Sequence, residues 1–277
     1  MPFIARAILA LVLALVHAMI LAGPPPVTAL RLAASFDDQV DHQLVLPIEE
    51  ATCYGERALE ALSKEGIVPW PQYVALVDGN PNVQAIAIFW LDNGAPPFIV
   101  GAAAVSTGRG GAFDHFETPL GVFALRTDNP DFRAEGTRNK TRRPRLWREG
   151  NACVRPRLAA GCPSLGTGRL QRDATADACD RSGPARAALG GVQSKGCVRI
   201  PATLNRLLDH FGVLDADYLA AAAQGVPMWA PPADQEPVEG AGRYVIIVDS
   251  ARAVRPNWSP IPGPHTAAVP PAIAPPH

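Results

Sequence analysis

A cysteine that directly follows a glycine at the mouth of a strand can present a thiol beside backbone N–H groups. The run Ser194-Lys195-Gly196-Cys197-Val198-Arg199-Ile200 has that order. The N–H groups of Gly196 and Cys197 would face a reacting carbonyl as an oxyanion hole, with the Cys197 thiol as nucleophile. The other use of such a residue is as a small buried strand cysteine. Arg199 offers a guanidinium that matches the geometry of a substrate carboxylate, or of a structural ion pair below the site. Lys195 either favours the thiolate by its charge or sits exposed beside it. The Ser194 hydroxyl is better placed to orient the turn than to react. A base is missing: no histidine lies between His115 and His210. General-base help is typically worth on the order of 10² to 10⁴-fold, so its loss would leave little turnover. His115 is the nearest imidazole upstream, with a structural or substrate-facing role expected, and His210 reads as a helix-end residue.

The neighbours favour the nucleophile. S-K-G-C-V-R-I-P resembles the nucleophile segment of L,D-transpeptidases of the YkuD-like family, bacterial enzymes that crosslink peptidoglycan. The family pattern is a histidine, about fifteen residues, then Ser/Thr-His-Gly-Cys, a hydrophobic residue, and Asn or Arg. Lysine in place of the second histidine is similar to one proteobacterial branch. A second stretch carries the same likeness. Ser106-Thr107-Gly108-Arg109 and then Phe113 to Phe123, with Thr118-Pro119-Leu120-Gly121-Val122-Phe123, resemble the family's GR and TPxGxF segments. The continuation from Asn129 to Asn139 matches the same branch.

The resemblance implies acyl transfer without metal or cofactor. Cys197 would attack the carbonyl between the third and fourth residues of a tetrapeptide stem, releasing D-alanine and leaving a thioester. An amine of a second stem would resolve it. The implied partners are peptidoglycan stem peptides and the implied location is the periplasm. Two other classes stay open: a peptidoglycan-binding protein that has lost the base, and a thiol hydrolase that uses water as acceptor.

The elements that would position these residues follow along the chain. Arg6 and the apolar stretch Ala7 to Ala22 read as a secretory signal peptide within residues 1–29, or as an uncleaved anchor. Ala22-Gly23 and Val27-Thr28-Ala29 are the candidate cleavage sites. Residues 30–69 form an N-terminal helical segment, with a helix from about Pro47 to Ser63 that Gly66 closes. Residues 70–250 are the expected catalytic domain. Its strands are Tyr73–Val77, Val83–Leu91, Phe98–Val105, Val122–Leu125 and Tyr244–Val248. Pro201 starts a helix whose apolar stripe is Leu204, Leu207, Leu208 and Phe211. Strands separated by turn residues predict a mainly β fold with a few helices (α+β), a β-sandwich or barrel-like catalytic domain. Residues 251–277 are a Pro/Ala-rich tail, disordered or extended.

Composition bounds the rest. The formal net charge is −1, which gives nucleic acid no reason to bind. Five cysteines leave at least one thiol unpaired, and Cys53, Cys153, Cys162 and Cys179 show no metal-ligand spacing. Neither zinc nor a disulfide framework is expected. The sequence is silent on oligomeric state.

From about Lys140 to Arg186 the likeness stops. This stretch holds ten of the chain's 22 arginines and no Phe, Tyr or Ile. It reads as a basic patch for an anionic polymer or as a disordered insertion. Neither explains why it replaces the segment where the family carries its histidine. Read one nucleotide further on, codons for Ala178-Cys179-Asp180-Arg181-Ser182 can spell His-Ala-Thr-Asp-Pro. That resembles the branch's histidine segment and leaves the family spacing before Ser194. Asn151 to Ala160 can likewise be recoded to resemble R-V-F-D-L-G-W-Q. Compensating frameshifts are the account we favour. Gene reads whose codons cannot spell histidine in the shifted frame sink it.

Overall fold

Every residue of β1 (Gln72–Asp78) and β2 (Ala85–Leu91) is buried, and the run is apolar from Tyr73 to Val77 and throughout β2. A strand buried on both sides needs cover on both faces, and that requirement sets the architecture. The computed structural model describes residues 25–68, 71–92, 94–111, 116–127, 152–154, 189–194, 196–226 and 234–262. Its main sheet has five strands in the order β3-β2-β1-β7-β4, where β3 is Phe98–Ala104, β4 is Gly121–Ala124 and β7 is Tyr244–Val248. β1 and β7 run parallel, and the remaining pairs are antiparallel. A separate antiparallel pair joins β5 (Ala152–Val154) to β6 (Val198–Ile200).

Helices cover both faces. On one, α1 (Val27–Gln39) and α3 (Ala202–His210) bring Leu32, Phe36, Leu204 and Leu207 against Tyr73, Ala75, Val77, Ile88 and Val245. On the other, α2 (Ile48–Lys64) brings Tyr54, Ala58 and Leu62 against Val74, Leu76, Phe89 and Ile246. Each fully buried Leu or Phe contributes about 1.5–3 kcal/mol relative to exposure. A further helix, α4 (Ala216–Ala223), follows α3. Among the described residues no helix is long and apolar enough to cross a membrane.

The mainly β, sandwich or barrel-like expectation is therefore corrected. The fold is mixed α/β, helix on sheet on helix, and the sheet is open rather than closed into a barrel. A sandwich strand with one face in water alternates apolar and polar residues, whereas Ala85-Ile86-Ala87-Ile88-Phe89-Trp90-Leu91 does not alternate. The second reason is α1, which begins where the leader was expected to end. Ala29 lies inside it and is fully buried, so Val27-Thr28-Ala29 is part of the packed fold. Residues 1–24, with the candidate cleavage site Ala22-Gly23, and residues 128–151 and 155–188 lie outside the described residues.

The strands read from the sequence fall close to where expected, and the last of them, β7, lies inside the sheet between β1 and β4. Residues 251–262 form no helix or strand, yet they are pinned. The Ser259 hydroxyl meets the carbonyl oxygens of Asn82 and Val83 at 2.9 and 2.7 Å. Arg255 donates to the carbonyl oxygens of Pro81 and Pro260, both at 2.6 Å.

Candidate active site

Beyond Ala104 the chain continues as residues 105–109, and these organise the nucleophile segment from both sides. On one side Ser106 exchanges two backbone hydrogen bonds with Arg199, at 3.0 and 2.8 Å. On the other, Gly190 N–H donates to Val105 O at 2.7 Å. The N–H groups of Gln193 and Ser194 donate to Thr107 O at 3.0 and 2.9 Å. Arg109 N–H returns a bond to Ser194 O at 3.0 Å. The turn from Ser194 to Cys197 therefore wraps the end of this strand-like segment.

Gln84 supports it from behind. The β2–β3 ladder ends at Ala85, and the Gln84 side chain carries it on as a backbone amide would. Its Oε1 accepts from Thr107 N–H at 2.8 Å, and its Nε2 reaches Thr107 Oγ1 at 2.8 Å and Gly79 O at 2.7 Å. Its own carbonyl accepts from Val105 N–H at 2.9 Å. Gln84 is wholly buried and has φ +50°, a left-handed conformation that costs a non-glycine residue about 1–3 kcal/mol when the surroundings enforce it. Sequence reasoning missed Gln84, because one polar residue at the mouth of an apolar strand carries no distinguishing signal.

The turn itself is held by two hydroxyls. Ser194 Oγ accepts from Gly196 N–H at 3.1 Å and donates to Cys197 O at 2.5 Å. Thr118 Oγ1 accepts from Gly108 N–H at 2.7 Å and donates to Gly196 O at 3.1 Å. Gly196 has φ +130°, a backbone conformation that residues with a side chain rarely adopt. Gly108 is required for a different reason. A Cβ there would lie 2.6 Å from Gly196 Cα and closer still to the Phe116 carbonyl oxygen.

These contacts bear on the expected roles. The Ser194 hydroxyl bonds to backbone groups within the turn. The N–H groups of Gly196 and Cys197 were expected to face a carbonyl together, and the Gly196 N–H donates to the Ser194 hydroxyl. Cys197 is a buried thiol, only 6% exposed and outside any disulfide. In β6, Val198 and Ile200 are buried and Arg199 is half-buried. Strand alternation therefore turns Arg199 away from the face on which Val198 and Ile200 join the core. Lys195 and His115 lie outside the described residues.

Two histidines, His42 and His210, lie among the described residues. His42 O accepts from Ala104 N–H, at the end of β3. His210 is the last residue of α3, about 12 Å along the helix from its first. It lies 3.9 Å from Glu236 and edge-on to Phe211. Among the described residues no group of His, Cys, Asp or Glu could hold a metal ion. No family model matches this sequence, and no curated protein matches it.

Proposed function

We propose that the chain is a cysteine acyl-transfer domain of the L,D-transpeptidase type, acting on peptidoglycan stem peptides in the periplasm. In this reading it holds the nucleophile without the histidine base. One observation carries the proposal. The two stretches that resemble the family, about eighty residues apart in sequence, meet at the Thr118 hydroxyl between Gly108 and Gly196. Cys197 follows directly.

The chemistry is a balanced exchange. The Cys197 thiolate adds to the stem carbonyl, the C–N bond to D-alanine breaks, and that amine leaves with a proton. The thioester is then attacked by an acceptor amine, which forms the new amide and returns the thiol. Arg199, half-buried and two residues after the thiol, is suited to a stem carboxylate. The absence of a histidine between His115 and His210 in the sequence supports a second reading, a stem-peptide binding module with little turnover.

Incubation with a carbapenem followed by intact-mass spectrometry tests the first reading. Ring opening by the thiol adds the whole drug mass to the wild type and nothing to Cys197→Ala. Absence of that adduct sinks acyl transfer, and retained binding to isolated sacculi would then select the binding module. Muropeptide products from an acylating protein separate transferase from hydrolase.

A further inference from the structure

We propose that Thr118 is a positioning residue for Cys197, holding the peptide that presents the thiol. A threonine hydroxyl has one proton and two acceptor lone pairs. Thr118 uses the proton on Gly196 O and a lone pair on Gly108 N–H. Both partners are backbone groups of glycines, so neither has a side chain that could hold it instead. The Gly196–Cys197 peptide is a planar trans unit, so fixing its oxygen fixes the direction in which the chain enters Cys197. Ser194 holds the peptide groups on either side, through Gly196 N–H and Cys197 O. Thr118 holds the middle one at its oxygen. Loss of that anchor loosens the turn at Gly196, since glycine is the least restrained residue in the chain.

The role of this anchor in catalysis rests on the acyl-transfer reading, but the positioning itself can be measured without it. Wild type, Thr118→Val and Thr118→Ser are treated with iodoacetamide, and Cys197 is followed by peptide mass mapping. Cys197 is nearly buried, so releasing the turn exposes it. Alkylation should rise about fivefold in Thr118→Val, the change one lost hydrogen bond gives a local opening equilibrium. Thr118→Ser keeps the hydroxyl and should stay within about twofold of wild type. Carbapenem acylation of the same proteins should move the opposite way, falling about tenfold in Thr118→Val, because a looser thiol is easier to reach but worse aimed. Should Thr118→Val fail to fold by circular dichroism, Thr118→Ala takes its place.

Equal alkylation in all three proteins overturns the proposal, as does a rise in Thr118→Ser that matches Thr118→Val. If wild type takes no carbapenem, acyl transfer falls, and the alkylation ratio still decides the role of Thr118.

Discussion

Two buried polar networks share the turn between β1 and β2, and they differ in charge. One, built from Gln84, Thr107, Thr118 and Ser194, uses only amides, hydroxyls and peptide groups, and it ends at Cys197. The other is centred on the Asp78 carboxylate, 1% exposed. Tyr54 donates to it at 2.6 Å, and the N–H groups of Asn80 and Ser250 do so at 3.0 and 3.2 Å. Around it Arg252 pairs with Glu50 at 2.5 Å, Asn80 reaches Asp249 at 2.7 Å, and Trp258 packs edge-on against Tyr54. A buried charge must have its partners, so the Asp78 network clamps α2, β1 and the segment after β7 into one unit. Neutral groups make lesser demands on stability, but they set directions. The difference assigns stability to one network and thiol geometry to the other.

The largest test of that division is Asp78→Ala, which strands three donors and breaks the clamp. Each buried donor left unpaired costs about 1–3 kcal/mol, so urea unfolding should show a loss of about 3 kcal/mol or more. Alkylation of Cys197 in the protein that remains folded should be unchanged. A loss below about 1 kcal/mol, within the range of a single ordinary hydrogen bond, would remove the distinction between the networks.

Next in size is a pair of glycine substitutions, one at the thiol turn and one where the two networks meet. Gly108→Ala drives a methyl into the backbone of Gly196 and Phe116, which cannot rotate away. Overpacking of this kind costs about 1–3 kcal/mol, and the turn should move with it, changing Cys197 alkylation. Gly79→Ala, beside Asp78, would meet Thr107 Cγ2 at 3.6 Å, an ordinary contact. It should lie within about 1 kcal/mol of wild type, on the stabilising side through the unfolded chain. Equal melting temperatures for the two variants would mean that the Gly108 approach is not tight.

How much of this was legible in the sequence follows from what each signal depends on. Cys197, Ser194 and the helix from Pro201 declared themselves through local order and spacing. The strands did so through apolar runs bounded by turn residues. The layering did not, because continuous burial in β1 and β2 fits any arrangement with both faces covered, and α1 was hidden against an apolar leader. Gln84 was invisible because its role exists only once β3 has folded back beside it. Thr118 was read as part of a turn, and its hydroxyl's partners are 10 and 78 residues away. Gly196 was expected to offer its N–H, and only the fold shows that Ser194 takes it.

The smallest expected effect is a pH dependence, and it also separates the networks. Burial, with the Asp78 charge beside it, holds the Tyr54 hydroxyl protonated well above the ordinary phenol range. Burial likewise raises Tyr73. An unfolded tyrosine ionises near pH 10. Above that pH the unfolded chain releases protons that the folded chain keeps, so the stabilising contribution is complete below pH 10 and declines as pH rises. The decline approaches about 1.4 kcal/mol per pH unit for each tyrosine fully retained. With only three lysines in the chain, little else that is basic titrates in that window. Urea melts from about pH 9 to about pH 11 should therefore show a shallower decline in Tyr54→Phe than in wild type. Thr118→Val should follow the wild-type slope, since its network contains no phenol. Parallel slopes for wild type and Tyr54→Phe would take Tyr54 out of the clamp's pH response. A slope altered by Thr118→Val would show that the two networks unfold as one.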